Sequence, residues 1–314
     1  MAEFSLAGKR VWVAGHRGMA GGAILRRLAT EDCQLLTIGR DVLDLTRQAE
    51  VEAWMAANRP QVVFLAAAKV GGILANSTRP AEFLYENLAI ETNVIHSAYV
   101  TGVEKLVFLG SSCIYPRAAE QPIREESLLT GPLEPTNDAY AIAKIAGIRM
   151  CQAYRRQYGC DFISAMPTNL FGPGDRYDLT QGHVVAALIM KVHAAKIAGT
   201  DTIELWGTGT PLREFLYSED LADGLVFLAK HYSDDPHVNI GTGIEITIRQ
   251  LAETIAEVAG WQGGFVYDAS KPDGMPRKVM DVGRIKAMGW QPATPFKDGM
   301  RAAYEWYVAN VARG

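Results

Sequence analysis

The sequence predicts an α/β protein built on a doubly wound parallel sheet with a smaller C-terminal substrate-binding lobe. Strand-like and helix-like segments alternate from residue 10 to about residue 166, a glycine turn joins the first such pair, and the rhythm changes after Pro167. The chain has 314 residues, 48% of them hydrophobic, enough for a substantial core and beyond the size at which single cores tend to divide.

The first strand is expected at VWVAG, followed by a turn containing Gly15, Gly18 and Gly21 and then an amphipathic helix. Glycine lets such a turn close tightly and lets backbone N–H groups approach a pyrophosphate, while the helix N-terminus faces its charge. This is the Rossmann arrangement for a dinucleotide. The second strand, QLLTIGR, ends in Arg40, where an NAD-preferring site carries an acid for the ribose 2′-hydroxyl. Arg17 lies inside the glycine turn, and two guanidiniums favour a 2′-phosphate, hence NADP, with NADPH as hydride donor. Asp41 is not expected to restore NAD, and the following Asp44 and Leu45 are expected to frame the adenine.

Further strands are read at QVVFLAAA, KLVFLGSS and DFISAM, and the longest helices at PAEFLYENLAIETNVIHSAYVTG and NDAYAIAKIAGIRMCQAYRRQYG. Function in such sheets gathers at the carboxyl ends of the strands, where AGHRG, AAAKVGG, LGSSCIYP and MPTNLFGPG fall. On the second long helix Tyr140 and Lys144 are four apart and share a face. The ammonium is expected to favour the phenolate, bringing a group of pKa ~10 towards working pH for proton exchange at a carbonyl oxygen. Ser111, Ser112 and Cys113 end the preceding strand. If that strand continues, Ser112 faces away and Ser111 is the one beside the chemistry.

After Pro167 the segments NLFGPGDRYDLTQGHV, WGTGTPLREFLY and DASKPDGMPRKVMD are rich in turn formers. The expected division is residues 1–168, with returning segments about 217–242, as the NADP-binding domain, and 169–216 with 243–314 as the substrate-binding lobe. A net charge of −4 argues against a general polyanion binder, so no nucleic-acid partner is expected. No stretch approaches about 18 uninterrupted apolar residues, and the start passes into the first strand without a cleavable signal, so no membrane partner and a cytoplasmic location are expected. The four cysteines show no CxxC spacing and are read as free thiols, and the six histidines form no metal-binding pattern.

Taken together, GHRGMAG, AAAKVGG, LGSSCIYP, EPTNDAYAIAKIAG, MPTNLFGPG, WGTGTPLREF, NIGTG and DASKPDGMPRK closely resemble the extended short-chain dehydrogenase/reductase family over nearly the whole chain. The glycine turn and YxxxK are common to that superfamily. SSCIYP, GHV and KPDGMPRK discriminate within it, and the resemblance implies an NADPH-dependent 3,5-epimerase and 4-reductase acting on a GDP-4-keto-6-deoxyhexose. It implies Cys113 as the base and His183 as the acid that invert C3 and C5. Tyr140 then protonates the C4 oxygen, Lys144 lowers the phenol pKa and holds the nicotinamide ribose, and Ser111 hydrogen-bonds the substrate oxygen.

The resemblance also implies cofactor contacts from Met19, Leu109, Gly110, Pro167, Asn169, Leu170 and His183. At the substrate end it puts Arg213 and Lys191 at the diphosphate, Trp206 along the pocket, and Asp273 and Lys278 towards the sugar or guanosine. Asn169 is expected at the diphosphate or a sugar hydroxyl. Family members commonly carry arginine where Lys191 stands, and lysine keeps the charge but loses the bidentate fork. A homodimer is implied, the two long helices pairing across a two-fold axis. The nearest alternative is a related epimerase/reductase making a colitose- or heptose-type GDP-sugar. A 4-epimerase with tightly held NAD has no need of Arg17, Arg40 or Cys113, and a non-catalytic NADP sensor would be expected to have lost Tyr140, Lys144 or Cys113.

Overall fold

The computed structural model describes residues 3–178, 182–271 and 273–312. The first half of the chain runs β1 (Arg10–Ala14), α1 (Met19–Leu28), β2 (Gln34–Leu36), α2 (Gln48–Asn58), β3 (Val62–Leu65), α3 (Ile73–Thr78), α4 (Pro80–Val100), β4 (Lys105–Leu109), α5 (Asp138–Tyr158) and β5 (Phe162–Pro167). It continues with β6 (Asn169–Phe171), α6 (Val184–Ala198), β7 (Thr202–Trp206), β8 (Leu212–Tyr217), α7 (Ser218–His231) and β9 (Val238–Ile240). The last stretch is β10 (Glu245–Thr247), α8 (Ile248–Ala259), β11 (Gly264–Asp268), β12 (Arg277–Lys278), α9 (Gly283–Ala287) and α10 (Phe296–Asn310).

Six parallel strands form the main sheet in the order β2-β1-β3-β4-β5-β9. Strands β3, β4 and β5 are buried along their whole length because helices cover both faces, which is why they read as continuous apolar runs. Val11 and Val13 face one core with Leu28, Leu221 and Leu225, from α1 and α7. Trp12 and Ala14 face the other, with Met55, Val94 and Ile148 from α2, α4 and α5. On the first side α1 and α7 are also joined by Arg26–Glu219 at 2.5 Å and Arg27–Asp223 at 2.7 Å.

The second sheet has the order β10-β8-β12, with β6 also paired to β8, and β7 pairs with β11. A third core of Phe171, Ile189, Leu251, Ile255 and Tyr304 lies under α6, α8 and α10. Helix α8 opens with a capping box, Thr247 and Gln250 each bonding the other's backbone N–H.

One local expectation is corrected. Strand β4 stops at Leu109, and residues Ser112–Ile114 form a single 3-10 turn with Ser111 as its N-cap. The Ser111 hydroxyl accepts the Cys113 N–H at 3.4 Å. Because the strand has ended, its alternation of faces does not separate Ser111 from Ser112, and hydrogen bonding does so instead.

Candidate active site

The loops at the carboxyl ends of β1, β3, β4 and β5 build the site. Gly15 sits at φ +89°, and a Cβ there would lie 2.7 Å from the Ala67 backbone after β3. A Cβ on Gly21 would lie 2.1 Å from the Gly15 carbonyl. These two glycines let turn, helix and neighbouring loop close on one another. At Gly18 the nearest such contact is 3.5 Å, so its side is open just where α1 begins at Met19. Close by in sequence, the His16 Nδ1 is buried without a partner. An open glycine at a helix N-terminus with an unpartnered buried nitrogen beside it fits the pyrophosphate of a dinucleotide.

Asn87, fully buried on α4, fixes the loop after β3. Its amide accepts the Lys69 N–H at 2.9 Å and donates to the Lys69 carbonyl at 3.0 Å and the Phe83 carbonyl at 2.7 Å. At the end of β2, Arg17 meets Asp41 at 2.6 Å and Arg40 meets Glu86 at 3.5 Å, and both guanidiniums are largely exposed. Asp44 gives its carboxylate to the Thr46 N–H at 3.0 Å and hydroxyl at 2.9 Å, which hold its pKa down. Leu45 packs against the core while its carbonyl accepts from Asn93 at 2.9 Å.

At the end of β4 the structure brings Ser111, Cys113 and Tyr140 together. Tyr140 lies close enough to Ser111, Cys113 and Glu91 for each to act on its phenol, and Ser112 is buried. Burial raises the phenol well above its ordinary pKa, the Cys113 and Glu91 charges add to this, and the Ser111 hydroxyl opposes it. The expected lowering by Lys144 is corrected here. The Lys144 Nζ is 5.9 Å from the Tyr140 ring centroid, and it turns to Glu91 Oε1 at 2.8 Å and donates to the Leu109 carbonyl at 3.1 Å. Its charge faces a buried carboxylate whose pKa is raised by burial, an effect the ammonium itself opposes. Burial also pushes the Cys113 thiol up, and the positive charge of Lys278 is foremost among the influences opposing it.

Gly110 packs so tightly that a Cβ would lie 2.3 Å from the Met166 sulfur. Pro167 ends β5, and Leu170 packs against the core between the sheet and α1. The Asn169 amide donates to the Glu214 carbonyl at 2.8 Å, joining β6 to β8. His183 is the N-cap residue of α6 without capping it, and its half-exposed ring places Nδ1 3.8 Å from the Asp175 carboxylate.

In the second sheet Arg213 and Lys278 are register partners on β8 and β12. Burial lowers the Arg213 pKa, and Asp273 opposes it. Asp273 accepts the Thr208 N–H at 2.7 Å and hydroxyl at 2.8 Å, bracing the loop after Trp206. Trp206 is 70% exposed, with the Lys271 ammonium 5.7 Å above its ring. Lys191 is exposed on α6.

Sequence reasoning missed Glu214, which is fully buried and accepts the N–H groups of Thr242 at 2.7 Å, Gly243 at 2.8 Å and Met280 at 2.9 Å. It ties the strand bearing Arg213 to the segment bearing Lys278. It also missed Asn87 and Glu91. Each is a polar residue whose partners come from distant segments, and no local sequence signal marks it.

The sequence profile of the NAD-dependent epimerase/dehydratase family matches residues 11–241. The chain belongs to this family. The match runs from β1 to just past β9 and so takes in the whole six-stranded sheet. Within this epimerase/dehydratase family, the chain is 59% identical over 312 residues to a GDP-L-fucose synthase of Sinorhizobium fredii, covering 99% of each chain. It is 48% identical over 315 residues to the GDP-L-fucose synthase of Escherichia coli, covering 97% of this chain and 98% of that one. A solved GDP-L-fucose synthetase from Naegleria fowleri bound to NADP superposes with a TM-score of 0.91 at 28% identity, over 99% of this chain and 98% of that one.

Proposed function

We propose that the chain carries out the NADPH-dependent 3,5-epimerisation and 4-keto reduction of GDP-4-keto-6-deoxy-D-mannose, giving GDP-L-fucose. The observation that carries this reading is a thiol and a phenol gathered around Ser111 at the end of β4, in a chain so similar to GDP-L-fucose synthases.

The 4-keto group acidifies the hydrogens on C3 and C5, because the carbanion left there is delocalised into an enolate. Cys113 removes the proton and His183 returns one from the opposite face. Burial favours the neutral thiol, so the nearby charge of Lys278 supports the thiolate that the base must be. Tyr140, held protonated by its surroundings, is suited to give its proton to the C4 oxygen, and Ser111 holds that oxygen. NADPH, when bound, supplies the hydride that C4 receives. Gly15, Gly18, Met19 and Gly21 would hold its pyrophosphate, Arg17 and Arg40 its 2′-phosphate, and Lys144 its nicotinamide ribose. Leu109, Gly110, Pro167, Asn169 and Leu170 would line the nicotinamide end. Arg213 and Lys191 would meet the GDP diphosphate, with Trp206, Asp273 and Lys278 along the rest of the substrate.

The same reading includes a homodimer through α4 and α5, where Tyr99 and Tyr158 are part-exposed and stacked with ring centroids 4.3 Å apart. A monomer in sedimentation at micromolar concentration removes the dimer. A cytoplasmic location agrees with the four free cysteines. No helix among the described residues is long and apolar enough to cross a membrane.

Product analysis by NMR tests the function. With GDP-4-keto-6-deoxy-D-mannose and NADPH the expected product is GDP-L-fucose, and a product inverted at neither or only one of C3 and C5 rejects the assignment.

A further inference from the structure

Glu91 on α4 and Lys144 on α5 form an ion pair of 2.8 Å in which each residue is only 2% exposed. Apart from this ammonium, neither Glu91 oxygen has a partner. The ammonium also donates to the Leu109 carbonyl at 3.1 Å and lies 4.7 Å from the Phe108 ring centroid. The helix pair is shaped to admit the carboxylate. A Cβ at Gly147 would lie 2.8 Å from Glu91 Oε2 and 2.4 Å from the Phe108 ring. A buried ion pair stabilises a fold weakly, since apolar residues of similar volume do as well or better. Its position beside the proposed reacting phenol points to chemistry.

We propose that Glu91 is a positioning residue for the reduction: it fixes the Lys144 ammonium against the Leu109 carbonyl and balances its charge, so that Tyr140 stays a phenol, the acid a ketone reduction needs. The proposal rests on the reaction assigned above and deepens it. The charged and titratable groups around the pair are Lys144, Tyr140 and Cys151 from α5, Cys113 from the turn after β4, and Lys278 from β12, which acts on Cys113. An unbalanced Lys144 would favour tyrosinate, a form with no proton to give. In each turnover the phenol O–H bond breaks, its proton ends on the C4 oxygen, and water returns a proton to the tyrosinate.

The test is the pH profile of kcat for reduction in the full-length chain. Glu91→Gln removes the charge and keeps the shape, so the alkaline limb, where Tyr140 loses its proton, should move to lower pH by one unit or more. Glu91→Asp keeps a carboxylate for the buried ammonium and so preserves the fold even where Gln does not. By withdrawing the charge one methylene it should move the limb in the same direction by less. A limb that stays in place in the folded variants, or moves to higher pH, overturns the proposal, because a purely structural role lowers kcat without moving the limb. Tyrosinate absorbance separates this from the reaction itself. Even if the parent turns over no GDP-4-keto-6-deoxy-D-mannose, Tyr140 should ionise at lower pH in Glu91→Gln than in the parent, each read against its Tyr140→Phe counterpart.

Discussion

Arg17 and Asp41 meet at 2.6 Å beyond the end of β2, so a guanidinium offered to a 2′-phosphate already faces a carboxylate. Both side chains are largely exposed, and the bond holds the Asp41 pKa down. A phosphate arriving there must share Arg17 with a like charge. The carboxylate is also an acceptor that could serve a 2′-hydroxyl.

Asp41→Asn should therefore sharpen the preference for NADPH over NADH, by about 2- to 5-fold, the range of an exposed ion pair. Arg40→Ala should act in the other direction, raising KM for NADPH by about 10-fold and that for NADH much less. Affinities for 2′,5′-ADP and 5′-AMP measured by calorimetry check both without turnover. Equal losses with the two nucleotides would reassign Arg40 to the fold.

The two chemistries should separate by mutation. Tyr140→Phe should largely abolish NADPH oxidation while hydrogens at C3 and C5 still exchange with D₂O. Cys113→Ala should abolish exchange, and any reduction that persists should give an unepimerised 6-deoxyhexose. Mass spectrometry of the recovered sugar decides, and exchange at the parental rate in Cys113→Ala removes the thiol as base.

His237 makes acid stability predictable. Buried beside the Tyr115 hydroxyl at 3.0 Å, its pKa is pushed from 6.5 down to about 4, by burial first and then by Arg284 and Arg149. The unfolded chain binds that proton more readily, so the stabilisation is complete above the unfolded pKa and is lost as pH falls towards 4. Linkage puts the loss at about 3 kcal/mol. Urea unfolding at several pH values should show a shallower decline in His237→Gln, and an unchanged slope would assign acid sensitivity elsewhere.

Glu214→Ala should leave the buried Met280 N–H and the part-buried Thr242 and Gly243 N–H groups without their acceptor and destabilise the chain by about 1 to 3 kcal/mol. Arg213 and Lys278 stand on the strands it joins, so KM for the GDP-sugar should rise in protein that remains folded. A normal KM would show that the two cations are positioned without it.

The sheet was legible because strand and helix periodicities are local, and so was the glycine turn, whose spacing carries its own geometry. YxxxK drew attention to Tyr140 but said nothing of its electrostatics. Spacing along α5 shows Lys144 on the same face as Tyr140, whereas its partner Glu91 comes from α4, about 50 residues earlier. Glu214 was hidden for the same reason, its acceptor role being defined by backbone from two distant segments. The Ser111 and Ser112 assignment needed the end of β4, which depends on the 3-10 turn and not on the apolar pattern before it.

The sixth strand of the main sheet, β9, arrives only at Val238–Ile240, after the chain has left to build β6 through β8. A nascent chain released to residue 167 has five strands and an uncovered flank, because Leu221, Leu225, Val226 and Leu228 of α7 have yet to be made. At typical elongation rates, the missing stretch of about 70 residues takes roughly 4 to 15 s to synthesise. During that interval the edge of β5 and the apolar side of α1 are open to other chains. Expression yield should therefore respond to slow codons between residues 168 and 240 more than to the same codons placed after 260, and a fragment cut at 168 should be recovered as aggregate.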